Sequence, residues 1–267
     1  MTEEKLVING TFILALLGAL SWLPQIISWI HSLLAKPKLR FVPEDTTEIG
    51  YSSFGPILNQ SFAISTSKKD ALIEKVTLTL IHESGAKHDL SWRILDERGP
   101  EITSPTGSWA EVRKNQPAIA LKISILGLTE KKIGFQDLNY QMKFLPYLSG
   151  YQRKDSYLQN TEGPNYAEKL IKSQEFLDVT DYIKKGFYWI EGKYDAILSV
   201  YESSRRKPHV ENYEFELNKI DIEQLEKNIQ VTQDKWKDSV FYKGKDFKEW
   251  PVRIWNWINP AFHRTTK

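Results

Sequence analysis

The sequence predicts a mainly β, antiparallel two-sheet sandwich with a few short helices, carried behind a single N-terminal transmembrane helix. Three observations predict it. Residues 11–34, TFILALLGALSWLPQIISWIHSLL, contain no Asp, Glu, Lys or Arg. From Leu58 to Leu217, apolar residues recur at every second position in run after run, the period of a strand with one buried face. The alternation is one-sided and no βαβ rhythm interrupts it, which points to antiparallel sheets packed face to face. The boundaries that follow are a short tail over 1–10, the transmembrane helix over 11–34, the β domain over 35–231, and a Trp-rich basic tail over 232–267.

The apolar stretch has the length of a membrane span. At about 1.5 Å per residue it just covers a hydrocarbon core of about 30 Å. Twelve of the residues from Phe12 to Leu34 are Phe, Ile or Leu. Together they favour insertion by about 4 to 7 kcal/mol, part of which Pro24, Gln25 and His31 give back. Phe12, Leu16, Leu20, Leu23, Ile27 and Ile30 are the residues expected to face lipid, and Pro24 is expected to kink the helix. No basic segment precedes the run and no small-residue cleavage site follows it, which argues against a cleaved signal peptide. Lys36, Lys38 and Arg40 follow at once, whereas Glu3, Glu4 and Lys5 precede. The positive-inside rule then places the N-terminus outside and the β domain in the cytoplasm.

Within the domain, Leu58, Phe62 and Ile64 share one face, and Val76, Leu78, Leu80 and His82 share another. The loop Glu83–Lys87 turns this strand into His88, Leu90, Trp92 and Ile94, a hairpin. Further stripes are Ile119–Ile125, Leu138–Phe144, Tyr194–Val200 and Tyr213–Leu217. Pro43–Ser53 and Tyr147–Pro164 read as loops. Helical spacing marks Pro164–Glu175, and Asp221-Ile-Glu-Gln224 reads as a capping box opening a helix that runs to about Lys237.

The segment Gly192-Lys-Tyr-Asp-Ala-Ile-Leu-Ser-Val200 resembles the late strand of immunoglobulin-like sandwiches, in which a Gly-x-Tyr opening leads into alternating apolar residues. The resemblance implies that Gly192 and Tyr194 form a tyrosine corner, the hydroxyl bonding to backbone upstream. It implies that the preceding residues, Phe176–Gly192, form the strand and loop entering that corner. It is a resemblance of fold and carries no function.

Composition excludes several functions. The 267 residues contain no cysteine, so disulfides, thiol catalysis and Cys-ligated metals are ruled out. A net charge of +2 argues against a general nucleic-acid binder. His82, Glu83, His88 and Asp89 could be arranged as a minimal metal site, but a histidine ending a strand near solvent is the simpler reading. No Gly-x-Ser-x-Gly, phosphate loop or dinucleotide fingerprint occurs. The tail holds Trp236, Trp250, Trp255 and Trp257, four of the nine tryptophans. Trp250, Arg253, Trp255 and Trp257 have the composition of an interfacial or partner contact, and the competing reading is that these rings fill the base of the core.

The sequence-level expectation is therefore a non-enzymatic, cofactor-free binding or scaffold protein, anchored to a lipid bilayer and presenting its sandwich to a protein partner in the cytoplasm. An accessory part of a prokaryotic stress or defence system would fit it. Two alternatives keep the fold: an extracytoplasmic adhesion or envelope module, and a membrane effector whose anchors self-associate through Ala15, Gly18 and Ala19.

Overall fold

The computed structural model describes residues 18, 20–103, 109–204, 206–244, 246 and 250–265. The strands are β1 (Lys38–Pro43), β2 (Glu48–Ser52), β3 (Gly55–Ser67), β4 (Ala71–His82), β5 (Lys87–Thr103), β6 (Trp109–Pro117), β7 (Leu121–Ile123), β8 (Thr129–Gln136), β9 (Gly192–Glu202), β10 (His209–Leu217) and β11 (His263–Arg264). All belong to one antiparallel sheet in the order β1-β3-β8-β5-β4-β9-β10-β11, with β2 beside β3, β6 beside β5 and β7 beside β4. Expected alternation reappears here as burial: β3 and β9 bury every second residue along most of their length.

The sheet curls on itself into a near-barrel. β1 and β2 cover successive halves of one edge of β3: Lys38 pairs with Ser67 and Pro43 with Phe62, then Glu48 with Asn59 and Ser52 with Gly55. Buried Gln60 patches the break between them by donating to the Glu44 carbonyl at 3.0 Å. The C-terminal segment then bridges β2 to β10. Ile49 and Ile258 exchange backbone bonds of 2.9 and 3.1 Å, and Phe262 N–H donates to the Asp45 carbonyl at 2.8 Å. On its other side Arg264 pairs with Tyr213 and His263 with Glu214. An aromatic ladder fills the lumen. Phe41 meets Phe62 edge-on at 5.7 Å, Tyr213 stacks on Phe262 at 4.9 Å, and Phe215 stacks on Tyr194 at 4.9 Å. Trp189 lies 5.9 Å beyond Tyr194 and donates its indole N–H to the Gly50 carbonyl.

Five α-helices are described: α1 (Leu23–Leu34), α2 (Leu138–Thr161), α3 (Tyr166–Ile171), α4 (Gln174–Lys185) and α5 (Lys219–Phe241). All but α1 form a layer on the barrel around a second core of Phe144, Tyr151, Leu158, Leu170, Phe176, Val179, Ile183 and Val240. Asp137 caps α2 through Tyr140 N–H, Ser173 caps α4 through Phe176 N–H, and Asn218 with Asp221 forms a complete capping box on α5. Tyr51 joins the layers by donating its hydroxyl to the Ile183 carbonyl.

Several expectations are corrected. Among the described residues no helix is long and apolar enough to cross a membrane. The described α1 has 12 residues, about 18 Å of helix against a core of about 30 Å. Pro24 stands in its first turn, with helical Leu20 and Ser21 directly before it and a break at Trp22 between the two stretches. Single-pass anchoring, and the cytoplasmic placement deduced from Lys36, Lys38 and Arg40, fall with it. Leu20, Leu23, Ile27 and Ile30 are exposed; Phe12 and Leu16 lie outside the described residues. The two-sheet sandwich is replaced by one curled sheet, and the immunoglobulin-like resemblance fails upstream of Tyr194. There Phe176, Val179, Thr180 and Ile183 are buried at helical spacing in α4, where a strand was expected. Leu138–Phe144 is likewise helical. Its buried residues, Tyr140, Phe144, Tyr151 and Leu158, follow helical spacing over a span that includes the supposed loop Tyr147–Pro164. Of the stripe Ile119–Ile125, only Leu121 and Ile123 are buried, in β7.

Phe262 is the buried ring of the closing segment, touching both Tyr213 and Phe215. Phe262→Ala is expected to lower unfolding stability by about 3–5 kcal/mol. Ile254→Ala, in the same segment but 76% exposed, is expected to stay within about 0.5 kcal/mol. Urea titration of both variants is the check; equal losses contradict closure through Phe262.

Candidate functional site

The start of β9 is held from three directions. The Tyr194 hydroxyl donates to the Ile190 carbonyl at 3.1 Å and accepts from its N–H at 3.0 Å, closing the loop before the strand. Burial raises the phenol pKa and keeps it neutral. His82 bonds through Nε2 to the Glu191 carbonyl at 3.0 Å and through Nδ1 to Ser84 at 2.8 Å. Gly192 adopts φ +130, and a Cβ there would meet Glu83 at 2.5 Å and His82 at 2.6 Å. Only glycine fits, so the sequence spacing Gly-x-Tyr has a local geometric cause.

This fixed strand, β10, the N-terminus of α5 and the closing segment wall a groove of about 660 Å³. That volume lies within the usual range of ligand sites. Carboxylates dominate the lining: Asp195, Glu214, Glu216 and Asp221, against Lys193 and His263. The register sets carboxylate against carboxylate, because Asp195 pairs directly with Glu214. Like charges opposite one another weaken a sheet. Glu216 pairs with Lys193, and His263 with Glu214 on the other flank. Asp221 is engaged in the capping box with Asn218, at 3.1 and 2.9 Å.

A smaller cleft of about 330 Å³ lies over β1, β3 and β8. Its charges are largely spent internally: Lys132 bonds Glu48 at 2.5 Å, and Asn59 reaches the other oxygen of Glu48. A third cluster is buried. The Glu211 side chain is 2% exposed and holds His209 at 2.8 Å and Arg264 at 3.3 Å, with the Tyr213 hydroxyl at 2.5 Å. Burial raises the Glu211 pKa, but hydrogen bonds from His209 and Tyr213 and the charge of Arg264 outweigh it and hold the carboxyl below the ordinary glutamate value. Sequence reading stopped at Tyr213, Phe215 and Leu217. Carrying the same period back two steps puts Glu211 and His209 on the inner face.

The tail residues singled out from sequence pack onto α5. Arg253 bonds Asp238 at 2.9 Å and lies 3.6 Å from Asp234. Trp255 carries the Lys235 ammonium 4.2 Å from its ring centre. Trp250 lies 6.3 Å from Tyr242. Trp257 presses on Gly50, where a Cβ would come within 2.5 Å. Lys36, Lys38 and Arg40 are exposed. His88 does not meet His82; it stacks on Tyr188 at 3.6 Å. Among the described residues no group of His, Asp and Glu is placed to hold a metal.

No family model matches the chain, and no curated protein matches it. Among solved structures it is similar to a family 123 glycoside hydrolase from Clostridium perfringens, with 11% identity and a TM-score of 0.32. The match covers 68% of this chain and 28% of that one, so the chain spans under a third of the hydrolase's length. The similar structure is an enzyme, so the comparison gives the expectation of a non-enzyme no support. A likeness this distant transfers no reaction or residue to this chain.

Because the Glu211 pKa is lowered on folding, its contribution to stability is full above the ordinary glutamate range and is lost as pH falls through the folded value. The melting-temperature gap between wild type and Glu211→Gln is expected to be widest near neutrality and to close on acidification. Melts across about pH 7 to 3 are the check; a gap independent of pH contradicts the assignment.

Proposed function

We propose that this chain is a protein-binding module whose acidic groove takes a lysine- or arginine-rich segment of its partner. The observation that carries the reading is the acidic strip on the wall of a 660 Å³ groove, where Glu214 stands opposite Asp195 in the ladder and Glu216 follows along β10. A segment with Lys or Arg at alternate positions would set opposite charges beside Glu214 and Glu216. Glu216 extends the acidic strip along β10, matching an extended segment more closely than a point charge. The walls are preformed by the Tyr194 clamp, the capping box and the closing segment, so little ordering is needed on binding. The net charge of +2 offers no general attraction for a basic peptide, which confines such binding to the groove.

Fluorescence anisotropy with a labelled Lys–Ser repeat peptide and a Glu–Ser repeat peptide tests the reading. The basic peptide is expected to bind, to weaken at about 0.5 M salt, and to lose about tenfold or more in affinity on Glu214→Lys/Glu216→Lys. Both substituted residues are exposed, so the fold is expected to survive. Equal binding of the two peptides, or full binding by the double variant, overturns it.

A further inference from the structure

One pole of the barrel gathers cations beside an apolar loop tip. Backbone pairing fixes which turns meet there. β1 begins at Lys38, opposite Ser67 at the end of β3. The β3–β4 turn carries Lys68 and Lys69, and Ala71 then pairs with Ile123 at the end of β7. Asp70 ties the β7–β8 loop to that turn by accepting the Ile125 N–H at 2.9 Å. β9 ends beside them: Glu202 pairs with Ile73, and Ser203 N–H donates to the Leu72 carbonyl at 3.1 Å. Arg206 and Lys207 follow in the connection to β10. Lys38, Lys68, Lys69, Lys122, Arg206 and Lys207 are all exposed. The carboxylates on these turns do not cancel them. Asp70 is engaged by the Ile125 N–H and lies 3.7 Å from Lys122, and Glu202 is buried. The β7–β8 loop turns at Gly127, whose N–H donates to the Ser124 carbonyl at 3.2 Å. This turn leaves Leu126 95% and Leu128 64% exposed, whereas Ile123 before it is fully buried. A single exposed leucine needs no explanation, but two at one loop tip flanked by cations do. The net charge of +2 conceals the separation. Between Asp195 in the acidic groove and Glu202 at this pole lie about 20–25 Å of strand β9.

We infer that this pole is a docking surface for an anionic lipid bilayer, a peripheral contact in which no segment crosses the bilayer, separate from the acidic groove. The cations gain from the negative surface potential of such a membrane. Leu126 and Leu128 enter the boundary between headgroups and acyl chains, where buried apolar area adds to the electrostatic attraction. The loop tip selects lipid over other polyanions. It offers aliphatic side chains, not the aromatic rings on which nucleic-acid bases stack, and an acidic protein surface has no acyl region to receive Leu126. α1 joins the barrel at the same pole through Ala35, Lys36 and Pro37, with Ile26, Ile27 and Trp29 exposed along it. Docking here leaves the acidic groove, at the far end of β9, open to a partner in solution.

The chain contains no cysteine, so a single label reports on a single place in the full-length protein. Leu126→Cys and Lys219→Cys, the second exposed and next to the groove residue Asn218, each carry an environment-sensitive fluorophore. Phosphatidylcholine–phosphatidylserine vesicles are expected to blue-shift and brighten the Leu126 label and to leave the Lys219 label as it is in water. Pure phosphatidylcholine vesicles are expected to bind at least about tenfold more weakly, and Lys69→Glu/Lys207→Glu to cost about tenfold or more on the anionic vesicles. No shift at Leu126, an equal shift at Lys219, equal binding to neutral vesicles, or full binding by the double variant overturns the inference. So does a shift of the Leu126 label by single-stranded DNA with none by the vesicles.

Discussion

The structure depends on one closure: the C-terminal segment lying between β2 and β10. Without it β10 and the β2–β3 pair are the two edges of an open, strongly curled sheet. The backbone bonds at Ile49, Ile258, Phe262 and Thr265 close this part of the edge, and open edges are where sheets aggregate. Phe262 makes the closure a packing event as well, because its ring completes the ladder from Phe41 to Trp189. Stacked and edge-on aromatic pairs add about 0.5–1.5 kcal/mol each beyond burial, so a lumen of rings holds a rigid wall.

The acidic groove is a consequence of where that segment runs, since it supplies Asn259, Pro260, Ala261 and His263 to the wall. Strand β10 carries charge on both faces, with Glu214 and Glu216 outward and Glu211 buried beside His209 and Arg264. A chain of nearly balanced composition does not reveal this local concentration of acid.

Much of the sheet was legible in the sequence. The runs Leu58–Ile64, Val76–His82, His88–Ile94, Tyr194–Val200 and Tyr213–Leu217 alternate cleanly and are strands. The errors have physical causes. Leu138–Phe144 is too short a window to separate period 2 from period 3.6; only Tyr151 and Leu158, further on, settle it as a helix. The apolar N-terminal run was read by composition, which does not see that the described helix Leu23–Leu34 is only 12 residues long. The tail kept two readings, interface and core filling, because composition does not show Asp234, Asp238 and Gly50 beside Arg253 and Trp257. The groove was invisible for the same reason: Asp195 and Glu214 become neighbours only through strand register. Glu211 and His209 were within reach, two steps along an alternation already recognised.

The most direct test of the closure is residue-resolved amide hydrogen exchange on the full chain. If the segment is a true stave of the barrel, the amides of Ile49, Ile258 and Phe262 exchange as slowly as those of β3 and β8, through the same global opening. If those three exchange orders of magnitude faster while β3 and β8 stay protected, the segment is a peripheral strap and the barrel stands without it.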